Sequence, residues 1–177
     1  MATNRTSKSS ASNRTSRKHA STTAKDRDAI GFLMAQHREV EDLFTQFEKL
    51  GEDGSLDEKE PIVRMACEKL TVHATIEEEI FYPAAREVDG VDSLLNEAEV
   101  EHATAKELIA KLDSMDADDE LFSATFTVLS EYIKHHVKEE EGELFPKLRN
   151  SHMDLDKLGE ALAAHADELM AAEPEMR

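Results

Sequence analysis

From Asp26 onward the apolar residues of this chain recur at alternating steps of three and four, and a histidine interrupts each of the first four seams so formed. That spacing lays apolar side chains along one stripe of a helix, and such stripes are stable only when helices cover one another in a bundle. The first seam reads Ile30, Leu33, His37, Val40, Phe44 and Phe47, and Gly51 can end it. The second reads Val63, Ala66, Leu70, His73, Glu77, Ile80 and Ala84 and runs towards Gly90. Pro61 is expected in its first turn, where the missing N–H costs nothing, and Pro83 is expected to kink it. The third reads Val91, Leu95, Ala98, His102, Ala105, Ile109 and Leu112. The fourth reads Phe122, Phe126, Leu129, Ile133, His136 and Glu140, towards Pro146. A shorter helix, about Leu155 to Met170, is expected across the outside. The expected fold is all-α: an up-down-up-down four-helix bundle over residues 26–150, with an additional C-terminal helix within 151–177 packed on it.

Residues 1–25 differ in kind. They hold six basic residues (Arg5, Lys8, Arg14, Arg17, Lys18, Lys25), no acid and almost nothing to bury, so a disordered basic tail is expected. The rest of the chain carries 15 basic residues against 39 acidic ones, a net charge of −24. Such a body repels nucleic acid and anionic membrane, which argues against both as partners. No apolar run is long enough to span a bilayer, and no apolar stretch near the start resembles a secretory signal. The single Cys67 has no partner for an internal disulfide; together these features fit a cytoplasmic protein.

The four seam histidines fall near the middle of their helices. Short connections make consecutive helices antiparallel, so His37, His73, His102 and His136 are expected to converge at one level. Glu77 and Glu140 each follow a seam histidine by four residues, which places imidazole and carboxylate on one face, a turn apart. An internal repeat selects the same residues. His73-Ala-Thr-Ile-Glu77-Glu78 precedes Pro83 and His136-Val-Lys-Glu-Glu140-Glu141 precedes Pro146, ten residues after the histidine in both cases. Two related helical hairpins facing each other would hold two metals side by side. A lone buried histidine is commonplace in cores. Four at one level with two carboxylates would be very costly unpaired, and metal coordination satisfies all six at once. The alternative is a purely hydrogen-bonded His–Glu network.

His135, with Glu139 four residues on, lies on a more polar face and reads as a residue behind the ligands or at the surface. Glu78, Glu79, Glu139, Glu141 and Glu143 read mostly as a solvated face.

The Gln-His37 pair, the His73-x-x-x-Glu77 block, the Glu-His102 pair and His136-x-x-x-Glu140 running into Leu-Phe-Pro146 together resemble the hemerythrin-like (HHE cation-binding) family, over roughly Asp26 to Arg149. The resemblance implies a non-haem centre of two iron ions, bridged by the carboxylates. It also implies chemistry with oxygen, nitric oxide or peroxide, or sensing of iron and redox state. Mixed imidazole and carboxylate donors at six positions suit iron better than structural zinc, and zinc or manganese stay open as occupants. One departure bears on oxygen carriage. The oxygen-carrying members have a second histidine one turn after that of the third helix, where this chain has Lys106. Glu41, the counterpart of Lys106 in the repeat, is expected either to supply a ligand or to pair with that lysine.

Overall fold

The computed structural model describes residues 28–172, and the expected tail over residues 1–25 lies outside them. Helix α1 (Ala29–Leu50) starts at Asp28, whose carboxylate accepts from the Gly31 N–H at 2.7 Å and from Arg149 at 2.9 Å. It stops at Gly51, whose φ of 61° is left-handed backbone that glycine adopts without strain. Helix α2 (Leu56–Ile76) opens with a capping box, in which Glu58 accepts from the backbone and hydroxyl of Ser55. That cap starts the helix a turn earlier than expected, so Pro61 lies inside α2 rather than in its first turn.

Beyond Ile76 the helix widens into a π-helical turn, Glu77–Phe81, and resumes as α3 (Tyr82–Ala85). Helix α4 (Asp92–Asp113) follows, then α5 (Phe122–Glu139), a second π-helical turn at Glu140–Leu144, α6 (Phe145–Arg149) and α7 (Leu155–Ala172). In the two wide turns the N–H groups of Tyr82 and Phe145 reach five residues back, to the carbonyls of Glu77 and Glu140. Pro83 and Pro146 come next in each. A proline ring collides with the carbonyl four residues before it, and a turn one residue wider relieves that collision. The distortion expected at Pro83 is this widened turn, and it occurs in both hairpins.

Two apolar cores fill the bundle, one on each side of the histidine level. One contains Ile30, Leu33, Phe81, Leu95, Phe145 and Leu148, closed over by Leu162 and Ala166 of α7. The other is built round Phe44, Phe47, Phe122 and Phe126, with Phe47 and Phe126 edge to face at 4.6 Å between centroids. Helix α7 lies against α1, α2 and the first π-turn, where His165 and Glu79 pair at 2.7 Å. Cys67 is packed in the second core, and burial pushes its thiol up to about 12, beyond reactivity at neutral pH. Among the described residues no helix is long and apolar enough to cross a membrane.

Candidate metal centre

Between the two cores lies a layer of buried polar groups: His37 from α1, His73 and Glu77 from α2 and its wide turn, His102 from α4, and His136 and Glu140 from α5 and its wide turn. The structure brings all six together. None is more than 6% exposed, so water cannot satisfy them.

Each imidazole uses its Nδ1 outward. His37 faces Glu141 at 2.9 Å, His73 faces Gln36 Oε1 at 2.8 Å, His102 faces Glu78 at 3.1 Å and His136 faces Glu101 at 2.7 Å. All four partners are oxygen acceptors, so each Nδ1 carries a hydrogen and donates it. In the neutral ring the inner nitrogen, Nε2, is then a bare lone pair. Those lone pairs point at one another, 3.1 Å apart for His37 and His73 and 3.2 Å apart for His102 and His136. Two donors about 2.1 Å from one metal and at right angles to it lie about 3.0 Å apart, so these distances suit ligands on a common ion as well as an N–H···N hydrogen bond.

The carboxylates tell the same story. Both oxygens of Glu77 and Oε2 of Glu140 are buried without a hydrogen-bond partner. Glu77 Oε2 is nevertheless 3.2 Å from His73 Nε2 and 3.3 Å from His102 Nε2. Glu140 Oε2 is 3.4 Å from His37 Nε2 and 3.5 Å from His136 Nε2. Each carboxylate thus lies against one histidine of either hairpin. Leaving such groups unpaired in a dry interior costs several kcal/mol each, comparable with the whole net stability of a domain.

The layer lacks positive charge, and the titrations point the same way. Burial opposes charging His37, but Glu140 and Glu141 outweigh it and raise its pKa to about 9. His73 is pushed well below its ordinary value by burial and by the charge of His37. Burial likewise resists ionisation of Glu140, yet His136 and His37 hold it down to about 2. Glu77 is pushed up by burial and by Glu140. Without a cation a proton takes its place, and metal binding would displace it.

The family model for the hemerythrin HHE cation binding domain matches residues 28–148. The chain belongs to that family. Among curated proteins, this HHE domain is 26% identical over 119 residues to a DNA nickase of Nostoc sp., a match covering 67% of this chain and 33% of the nickase. It therefore spans about a third of the length of that relative. Among solved structures it is similar to a hemerythrin HHE cation binding domain-containing protein from Mycobacterium kansasii. That likeness has a TM-score of 0.66 at 20% identity and covers 81% of this chain and 88% of the other. At that identity the likeness speaks for the fold alone.

Several residues of this HHE domain depart from the sequence reading. Glu41 reaches neither the centre nor Lys106; Arg38, three residues earlier on the same helix, pairs with it. Lys106 points away from the centre and binds both oxygens of Glu78, at 2.7 and 2.5 Å. Glu78 and Glu141 are more than a solvated face, because each accepts from a histidine of the layer. Gln36 and Glu101 enter the sequence reading only as parts of the Gln-His37 and Glu-His102 pairs, and the repeat contains the signal for their role. The residue before the histidine on α1 or α4 orients the histidine on the next helix, and the residue after Glu77 or Glu140 orients a histidine of the other hairpin. His135 is 60% exposed at its side chain and lies outside the layer.

Tyr82 was also missed. Its hydroxyl donates to Glu140 Oε1 at 3.0 Å and lies 3.2 Å from His102 Nε2. Burial, with Glu140 and Glu77 nearby, raises its pKa well above the ordinary value and keeps the phenol protonated. Its counterpart in the repeat is Phe145, which stacks on His37 with centroids 5.9 Å apart.

Proposed function

We propose that His37, His73, Glu77, His102, His136 and Glu140 hold two iron ions, and that this centre binds oxygen or nitric oxide or reports on redox and iron status. The observation that carries this reading is the set of four inward Nε2 lone pairs around partnerless carboxylate oxygens. A hydrogen-bonded network needs an extra proton in each of those gaps, because with every Nδ1 hydrogen turned outward acceptor faces acceptor across them. Two metal ions remove every conflict at once. Imidazole and carboxylate donors suit iron, and a bound iron pair supplies Lewis acidity and reversible electron transfer towards a small ligand.

The chain's own residues define what surrounds such a ligand. The apolar cores on either side keep water out. Glu77 and Glu140 each touch both hairpins and fix the spacing of the half-sites. Tyr82 holds a proton at its Oη beside His102, and this favours a second reading in which the centre decomposes peroxide, with the phenol as a local proton source. Metal analysis and the optical spectrum of aerobically purified protein test the centre. About two irons per chain with near-ultraviolet charge-transfer bands are expected; stoichiometric zinc after iron-replete expression would defeat the di-iron claim. Stopped-flow mixing with hydrogen peroxide separates the two readings, since only the enzyme turns over.

A further inference from the structure

We infer that Glu101, His135 and Glu139 form a surface capture site for a divalent transition-metal ion on its way to the buried centre. The inference rests on the metal-binding reading above and adds a route to it. His135 Nε2 lies 3.2 Å from Glu139 Oε1 and 3.9 Å from Glu101 Oε1, and one donor atom from each of the three falls within 4.8 Å of the others. Two donors about 2.1 Å from a tetrahedral ion stand about 3.4 Å apart, so these separations bracket those of ligands on one ion. By itself the His135–Glu139 pair would be an ordinary ion pair one helical turn apart, worth little. Three further features make it more than that.

The first is Glu101, which has one oxygen for each task. Its Oε2 accepts from His136 Nδ1 at 2.7 Å, while Oε1 is the atom turned to His135. It therefore touches the outer cluster and an inner histidine together. The second is a cavity of about 10 Å³, room for roughly one water, whose lining includes Glu101 and Glu139 of the cluster and His136 and Glu140 of the buried layer, with Leu94, Ala98 and Leu144 completing it. The same small cavity thus touches residues of the outer cluster and residues of the buried layer. The third is that the cluster is absent from the other hairpin. The counterparts of Glu101, His135 and Glu139 in the repeat are Gln36, Val72 and Ile76, none of which carries a charge to hold a cation. Fold symmetry therefore does not generate it.

One imidazole and two carboxylates, open to water for the remaining positions, bind ferrous iron, manganese, cobalt or zinc with modest affinity. Modest affinity is what a transit point requires. A negatively charged mouth also raises the local cation concentration and the entry rate.

The test uses full-length protein stripped of metal, with Co²⁺ as the equilibrium probe and anaerobic Fe²⁺ for the kinetics. Wild type is expected to bind two Co²⁺ tightly and a third weakly by dialysis. The double variant His135→Ala/Glu139→Gln, both exposed enough to leave the apo melting temperature unchanged, should lose the weak ion and keep the tight pair. Its Fe²⁺ uptake should slow at least about tenfold, the low end of what a charged mouth contributes. A double variant that fills at the wild-type rate with unchanged stoichiometry overturns the capture site and leaves the centre standing. A wild-type chain that takes up no metal overturns both.

Discussion

The α1–α2 hairpin and the α4–α5 hairpin bring the same histidines and carboxylates to the centre but back them differently. In the first, His73 leans on the neutral amide of Gln36, and only His37 has a carboxylate behind it, Glu141. In the second, both His102 and His136 are backed by carboxylates, Glu78 and Glu101. A carboxylate acceptor makes the opposite ring nitrogen a stronger donor than an amide does. Tyr82 sits over the second half-site, whereas Phe145 covers the first. On the proposed reading, a duplicated framework thus offers two inequivalent places for a metal: one strongly donating with an O–H at hand, the other weaker and roofed by a hydrocarbon ring.

Removing both ions tests the whole layer and should have the largest effect. Chelator-stripped protein should melt more than about 10 °C below the loaded form, because ligand binding energy is folding energy here. The two ions should also leave in separate steps as chelator strength rises; a single step would break the comparison. Next come the histidines. His136→Ala and His73→Ala should each lose one metal, but His136→Ala should be the less stable by about 1–3 kcal/mol, since it orphans buried Glu101 where the other orphans a neutral amide. Equal denaturant midpoints would show that the backing groups do not matter.

A subtler change isolates those groups. Glu101→Gln gives the second half-site the amide of the first and should weaken one metal about 10- to 100-fold by competition dialysis. Gln36→Glu should strengthen the other. The smallest effect belongs to Tyr82→Phe, which makes the two roofs alike. Both metals should be retained at a cost of about 1.5 kcal/mol, the low end for a hydrogen bond to a charged group, while the charge-transfer bands shift and any peroxide turnover falls. An unchanged spectrum and turnover would place the phenol outside the chemistry.

The helices and their inward histidines were legible because each histidine replaces an apolar residue in a seam that otherwise never breaks. His37, His73, His102 and His136 announce themselves by position. Gln36, Glu78, Glu101 and Glu141 do not, because a half-buried acceptor one residue off the seam has the same pattern as any solvated acid. Only knowing which helix each one faces separates them, and that is tertiary information. Tyr82 was hidden for a related reason: beside Pro83 it reads as packing, and its hydroxyl acquires a role only when α4 and α5 close around it. The wide turns were half-legible. Proline signalled a distortion, but whether it becomes a bend or an added residue depends on what lies downstream.

Those wide turns fix the helical phase of everything that follows them. At 3.6 residues per turn, one residue more or less rotates the downstream chain by about 100°. Deleting Gly142, which lies in the second wide turn and meets no neighbour where a side chain would be, alters no ligand and removes no packing contact. The wide turn would absorb that rotation by closing to an ordinary α-turn, which keeps Phe145, Leu148 and Arg149 in phase but returns the ring of Pro146 to the carbonyl four residues before it. Between Glu77 or Glu140 and the proline that follows it, residue number is therefore held more strictly than residue identity. Substitutions there can be absorbed, but losing the extra residue restores the collision that the wide turn relieves.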